Sequence, residues 1–292
     1  MTEKKPKVFY VLDQLSAHDI KQWMKHYNEI ADYCWDHFSY FAHKRSRVYE
    51  DLKNSLRMNT RAFKFNNWRR IIDNIFFREP LSSQGSILHF PGGRFNIGDI
   101  DPLKFPRFGA LYLAEDTTTA LREKFGLEPK ELIEGLTAEE INVAGNISQF
   151  VVGGNLTCVL DIQNQDSLKD FFELISKIHL PTQFVSRAAK LKISPMPHAA
   201  NVNELIQTFL RPDWNIMPTQ FDVPANPQIL GQLAHAAGIE AILYPSVKTK
   251  QQCLAIYPDN FKNSDAYIEL EGEISELIAN KRIDQSTFHN FT

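Results

Sequence analysis

This chain of 292 residues is poor in most of the features that would announce a chemistry outright. It has three cysteines, Cys34, Cys158 and Cys253, odd in number and far apart, so neither paired zinc ligands nor a disulfide framework can be built from them. Cys34 lies on a helical apolar face and the other two in strand-like runs. All three read as small core residues, and thiol chemistry is set aside. There is no Gly-x-Gly-x-x-Gly turn and no Walker loop, which excludes a doubly wound nucleotide fold built for hydride transfer. No apolar stretch is long enough to cross a bilayer. The charged start, Met1 to Lys7, leads only into the short run Val8 to Leu12, without the core of a signal peptide, so the expectation is a cytoplasmic protein with no membrane partner. An excess of one charge is missing too. Lys and Arg number 32 against 35 Asp and Glu, a formal net charge of −3, so the whole molecule is not an evident binder of nucleic acid or membrane. No repeat or low-complexity segment appears.

What the chain does have begins with a helix. Its length suffices for a full core, as one large domain or one domain with a smaller companion. From Ser16 to Phe38 the residues Ile20, Trp23, Met24, Tyr27, Ile30, Ala31, Cys34, Trp35 and Phe38 keep the three-four spacing of an amphipathic helix, and Ser16 with Asp19 forms a capping-box-like start. His18, His26, His37 and His43 are scattered around it without ligand spacing, and no metal site is expected. Further helices are expected over about 47–56 and over 68–76, where Trp68, Ile71, Ile72, Ile75 and Phe76 share a face. Basic residues dominate between Lys44 and Arg70, with Phe63, Phe65 and Trp68 interleaved. A single-stranded nucleic-acid platform uses such a mixture, but no recognised nucleic-acid motif accompanies it, and the favoured account is aromatics in a core with charges on a solvated or partner-facing surface.

After Glu79 the pattern changes. Ile87 to Phe90 is a short strand candidate leading into Pro91-Gly92-Gly93-Arg94-Phe95-Asn96. The two glycines let the backbone turn tightly and approach a ligand, and Arg94 follows as a planar charge suited to phosphate or carboxylate. Ala110 to Ala114 reads as a buried strand containing Tyr112, and Asp116 caps a helix that carries Glu123 and ends before Gly126. A helical turn at 129–135 and a capping box from Thr137 to Glu140 come next. Ile147 to Val152 and Leu156 to Ile162 read as strands joined by a hairpin at Gly153-Gly154-Asn155. Helical patterns cover 167–180, 183–191 and 203–210, with Pro-rich loops at 195–198 and 211–227. Pro227 opens a helix that Gly238 closes. Strands follow at 241–244, 253–257 and 266–270, and the tail from Glu273 looks helical to Lys281.

Taken singly, an Arg after two glycines, a Tyr in an apolar run and a helical Glu all have ordinary structural explanations. Their order along the chain changes this. Gly92-Gly-Arg-Phe-Asn96, Leu111-Tyr-Leu-Ala114 with Ala120-Leu-Arg-Glu123, and Tyr244-Pro-Ser246 with Cys253-Leu-Ala-Ile-Tyr-Pro258 together resemble the RES domain family, over about residues 82–260. The resemblance implies an α+β, ADP-ribosyltransferase-like fold of mixed and antiparallel sheets with flanking helices. It places an N-terminal helical region at 1–78, the catalytic domain at 79–272 and a tail at 273–292. It also implies consumption of NAD+ as substrate, with no other cofactor, by a toxin restrained by a cognate antitoxin. The family's Arg falls on Arg94, its Tyr on Tyr112, its Glu on Glu123 and its Ser on Ser246.

In such a cleft the bond between ribose and nicotinamide breaks through an oxocarbenium-like transition state, which asks for an anion, a phosphate-holding cation and an orienting ring. Glu123 would face the cationic carbon and bond the ribose hydroxyls, Arg94 would hold phosphate, and Tyr112 would orient nicotinamide. Ser246 would bond a ribose hydroxyl or phosphate, with Gly93 and Asn96 as lesser contacts. Glu269 and Glu271 have the spacing of paired glutamates that some ADP-ribosyltransferases carry late in the chain, and rank behind Glu123. The acceptor, whether water, phosphate or a macromolecule, stays open. So does the alternative of a catalytically silent binding module whose N-terminal helices and basic stretch engage a protein or RNA partner, and self-association is left open as well.

Overall fold

The computed structural model describes residues 16–126, 146–196 and 198–290, and the segment at 129–140 lies outside them. The chain divides into two units, residues 1–43 with 179–197 and residues 44–178 with 198–292. Helix α1, Ala17–Ser46, runs through most of the described part of the first. Its start is capped as its sequence asks: the Asp19 amide donates to Ser16 Oγ at 3.1 Å, and the Ser16 amide donates back to Asp19 Oδ2 at 3.1 Å. Its second half lies against the helix Thr182–Leu191. The Phe184 ring meets those of Tyr33, His37 and Tyr40 with centroids 6.1, 5.6 and 5.7 Å away, Arg187 pairs with Asp36, and Tyr33 and Cys34 are buried. No helix among the described residues is long and apolar enough to cross a membrane.

The second unit is built on one mixed sheet. Its strands are β1 Arg61–Asp73, β2 Leu111–Ala114, β3 Ile147–Asp161, β4 Ala241–Pro245, β5 Gln252–Ile256, β6 Tyr267–Glu271 and β7 Arg282–Ile283. They run in the order β1-β2-β5-β4-β3-β6-β7, and β1 also pairs with β3, so the first five strands form a closed circuit. Only β3 and β4 run parallel. One face buries Leu111, Leu113, Leu243, Leu254 and Ile256 with Phe65, Trp68, Val152 and Ile268 in a single core.

Several expectations are corrected. Residues 68–76, read as a helix in the N-terminal helical region, belong instead to β1 and a short 3-10 turn. A register shift between Phe65 and Trp68, with Asn67 at φ 62°, inserts a residue into the strand, so Phe65, Trp68 and Ile72 all point inward. Of the residues that suggested a helix, Trp68 and Ile72 are buried, Ile71 packs instead against Leu121, and Ile75 and Phe76 are exposed, so apolar residues on both faces of the strand and its turn produced the helical spacing. The same stretch settles the aromatics of the basic segment: Phe65 and Trp68 are core, and Phe63 packs against it.

Gly153 and Gly154 form no hairpin but lie inside the continuous strand β3. A side chain at Gly153 would collide with the Glu271 carboxylate, and one at Gly154 with the Tyr267 carbonyl, so the glycines serve the close approach of β6. Residues 84–88 are a short helix rather than a strand leading into Phe90, and 216–221 form a helix inside the expected loop. The helix expected over 167–180 is a 3-10 turn followed by the shorter Lys169–Ile175. The stretch 273–281 is not helical, and its Ile278 anchors the tail in the core.

Candidate active site

The site is assembled on the face of the sheet opposite the apolar core. Register sets Tyr112 beside Ala255, Ala114 beside Cys253, and Cys253 beside Tyr244. Strand alternation therefore brings Tyr112, Ala114, Cys253, Ala255 and Tyr244 onto one face. Helix α2, Thr117–Phe125, follows β2 directly. Asp116 caps it through the Thr119 amide at 2.8 Å, Gly126 ends it at φ 70°, and Glu123 sits on its last turns, half-buried.

The loop from Pro91 to Gly98 is bound on every side. Gly92 has φ +93° and its missing side chain lets Gly98 lie against it, while Gly93 leaves space for the Tyr112 ring. Tyr112 OH accepts from the Phe95 amide at 2.9 Å and donates to Asn96 Oδ1 at 2.9 Å, which also accepts from the Gly93 amide at 2.8 Å. Asn96, fully buried, spends its Nδ2 on the carbonyls of Ser86 and Phe108. Burial pushes the Tyr112 phenol well above its ordinary value, the more so for the nearby Glu123, against the Phe95 amide and Arg94. Asn96 and the hydroxyl of Tyr112 hold the loop's shape, and Tyr112 as a whole is half-buried.

Two buried residues to which the sequence reading gave no role, Gln228 outside every motif and Tyr257 inside the Cys253–Pro258 motif, complete this clamp. Gln228, in the helix Asn226–Ala236, donates from Nε2 to the carbonyls of Pro91 at 2.9 Å and Asn96 at 3.1 Å, while its Oε1 accepts from the Ala225 amide. Tyr257 OH donates to the Phe95 carbonyl at 2.8 Å. Their signal lies in three dimensions, since a Gln one residue after a Pro or a Tyr at a strand end points nowhere by itself.

Arg94 is 7% exposed. Its Nη1 donates to the carbonyls of Phe209 at 3.1 Å and Arg211 at 2.8 Å, and its guanidinium lies 5.6 Å from the centroid of the Trp214 ring. Its Nη2 and Nε have no acceptor among the described residues. Burial lowers its pKa, and Tyr244, Glu123, Tyr112 and Cys253 act in the opposite sense, so these groups share one electrostatic neighbourhood. Tyr244, read from sequence as a strand residue opening the Tyr244-Pro-Ser246 motif but given no role, belongs to that neighbourhood, its phenol driven up by burial and by Cys253, Glu123 and Tyr112. The Cys253 thiol is pushed well up for like reasons and stays protonated.

Ser246 is buried, and its hydroxyl is fully used: Oγ donates to Glu123 Oε1 at 2.6 Å and accepts from the amides of Lys248 at 3.1 Å and Thr249 at 3.2 Å. It holds Glu123 in place. Thr249 Oγ1 meets Thr119 Oγ1 at 2.7 Å, and Thr119 also donates to Asp116, so the turn after β4 is tied to the start of α2. Glu123 Oε2 accepts nothing among the described residues. The structure thus brings Arg94, Tyr112, Glu123 and Ser246 together across 152 positions of sequence, with Arg94 and Glu123 the two that keep polar atoms unused among the described residues.

The competing acids are engaged elsewhere. Glu269 pairs with Arg282 at 2.8 Å, and Glu271 Oε2 accepts from the Asn67 amide at the β1 bulge at 2.8 Å.

No family model and no curated protein matches the chain. Among solved structures, that of the M. tuberculosis MbcT-MbcA toxin-antitoxin complex is similar to it at 13% identity and a TM-score of 0.40, over 82% of this chain and 96% of that one; at that score it decides neither fold nor function.

Proposed function

We propose that this chain cleaves the nicotinamide–ribose bond of NAD+ in an ADP-ribosyltransferase-like cleft, as a glycohydrolase or phosphorylase, and acts as the toxin of a toxin–antitoxin pair. The observation that carries the reading is the Ser246–Glu123 hydrogen bond beside Arg94: one carboxylate oxygen is fixed, and the other is left for a ligand close to a buried cation with unused donors. Glu123 Oε2 would bond a ribose hydroxyl and stabilise the positive charge that develops on the sugar as nicotinamide leaves. Arg94, its plane set by two backbone carbonyls, would offer its free edge to the diphosphate. The Tyr112 ring would orient the nicotinamide, held by the hydroxyl that locks it to the loop. The toxin role and the antitoxin follow from the motif order alone.

The test is loss of NAD+ on incubation with the purified chain, with and without phosphate, beside Glu123→Gln. Free ADP-ribose marks hydrolysis and a phosphorylated ADP-ribose marks phosphorolysis. The variant is expected to fold and to lose roughly 10²- to 10³-fold in turnover. Cleavage that survives in Glu123→Gln would overturn the site, and NAD+ left untouched by the wild type under both conditions would overturn the proposed reaction.

A further inference from the structure

Arg94 is a buried cation that no ion pair holds among the described residues. Its Nε and Nη2, which donate to none of them, are not sealed in the interior. A guanidinium taken from water without a counter-ion is costly, so its remaining neighbours matter. The fold sets beside it the turn that follows the helix Val202–Phe209, with the sequence Arg211-Pro212-Asp213-Trp214-Asn215. Within that turn the Arg211 fork donates to both oxygens of Asp213, from Nε at 2.7 Å and from Nη2 at 2.6 Å, and the Ile216 amide donates to the Asp213 carbonyl at 3.2 Å. The turn so closed supplies two contacts to Arg94. One is the Arg211 carbonyl that accepts from Nη1, and the other is the Trp214 ring, whose centroid lies 5.6 Å from the guanidinium carbon.

Trp214 is half-buried, and its indole N–H has no acceptor among the described residues and is not sealed in either. Any aromatic ring could cover a guanidinium; what indole adds is a donor. The unused polar atoms of this pair are therefore all donors, Arg94 Nε and Nη2 with Trp214 Nε1. Such a set fits an anion that carries several acceptor oxygens. The diphosphate of NAD+ places a negative charge on each of its phosphates, while Arg94 is a single cation with one nitrogen already spent on backbone carbonyls. We propose that Trp214 is a second binding residue for the diphosphate, its indole N–H donating to a phosphate oxygen beside the Arg94 fork. The identity of the anion rests on the NAD+ reading above, whereas the donor set does not.

Isothermal titration calorimetry of the full chain with inorganic pyrophosphate in metal-free buffer tests this, beside Trp214→Phe, which keeps a ring over Arg94 and removes the N–H. The wild type is expected to bind pyrophosphate. The variant should bind it roughly 10-fold or more weakly, the loss of one hydrogen bond to a charged group, with the circular dichroism of the folded chain retained. In steady-state turnover Trp214→Phe should raise KM for NAD+ by a like factor at unchanged kcat, as the loss of a contact made equally before and during the reaction does. Pyrophosphate that the wild type does not bind, or binds no better than Trp214→Phe, overturns the proposal, and so does a fall in kcat with KM unmoved. A chain that binds pyrophosphate through Trp214 and leaves NAD+ untouched keeps this subsite and loses the proposed reaction. One that consumes NAD+ with a KM indifferent to Trp214→Phe keeps the reaction and loses the subsite.

Discussion

A carboxylate tied by one oxygen keeps its orientation and still has an oxygen to offer, and Ser246 gives Glu123 that condition. The serine's own oxygen is held by two backbone amides, so its position follows from the turn after β4 and not from a ligand. Ser246→Ala is therefore expected to lower kcat for NAD+ loss roughly 10- to 100-fold through misplacement of Glu123, with little change in KM. A substrate-contacting serine would raise KM instead, so the split between the two constants decides its role. Tyr112→Phe removes the acceptor of the Phe95 amide and one donor to Asn96. It should cost about 1–3 kcal/mol in urea unfolding, the ordinary penalty for an orphaned polar group away from water, while the ring remains to orient a ligand.

At the scale of the element, the bulge in β1 and the glycines in β3 are two sides of one contact. Glu271 reaches across Gly153 to the Asn67 amide, which the bulge turns out of the ladder. Glu271→Ala should lower stability by about 1 kcal/mol and leave NAD+ turnover within a factor of about three, which separates this carboxylate from Glu123 in a single comparison. The tail strand β7 carries a pH-sensitive turn. Bonds from Ser286 first, then Arg282 and Thr287, hold the Asp284 carboxyl down at about 2 from 3.8. A lowered native pKa means that its stabilising effect is complete above the ordinary carboxylate range and is lost as pH falls from there toward 2. Asp284 is only half-buried, so the effect is small. Thermal melts of Asp284→Asn and wild type should differ at pH 6 and converge near pH 2.

At the scale of the molecule, every residue of the candidate site belongs to the second unit, while the exposed apolar residues of α1, Trp23 among them, belong to the first. Trp23→Glu is accordingly expected to leave the turnover of NAD+ within a factor of about two of the wild type, measured side by side on the purified chains.

The local signals in this sequence were strong where one element satisfies its own polar groups. The Ser16–Asp19 box, the Asp116 cap, the Gly126 end and the three-four spacing of α1 all act within a few residues, and each appears as its residues require. The order of the Arg, Tyr, Glu and Ser motifs also singled out four residues that the structure gathers. What depended on distant partners was not legible. Apolar residues on both faces of β1 and its turn gave 68–76 a helical spacing, and the space left for Glu271 gave Gly153 and Gly154 the look of a turn. Asn96, Tyr112 and Ser246 could be picked out by type, but not that their polar groups would be consumed in shaping the loop and holding Glu123. Gln228 carried no pattern at all, and Tyr244 stood inside the motif ending at Ser246 without a role of its own. Sequence alone determines elements closed by near neighbours. Which polar atoms stay free for a ligand is decided only when chain segments more than a hundred residues apart have claimed theirs.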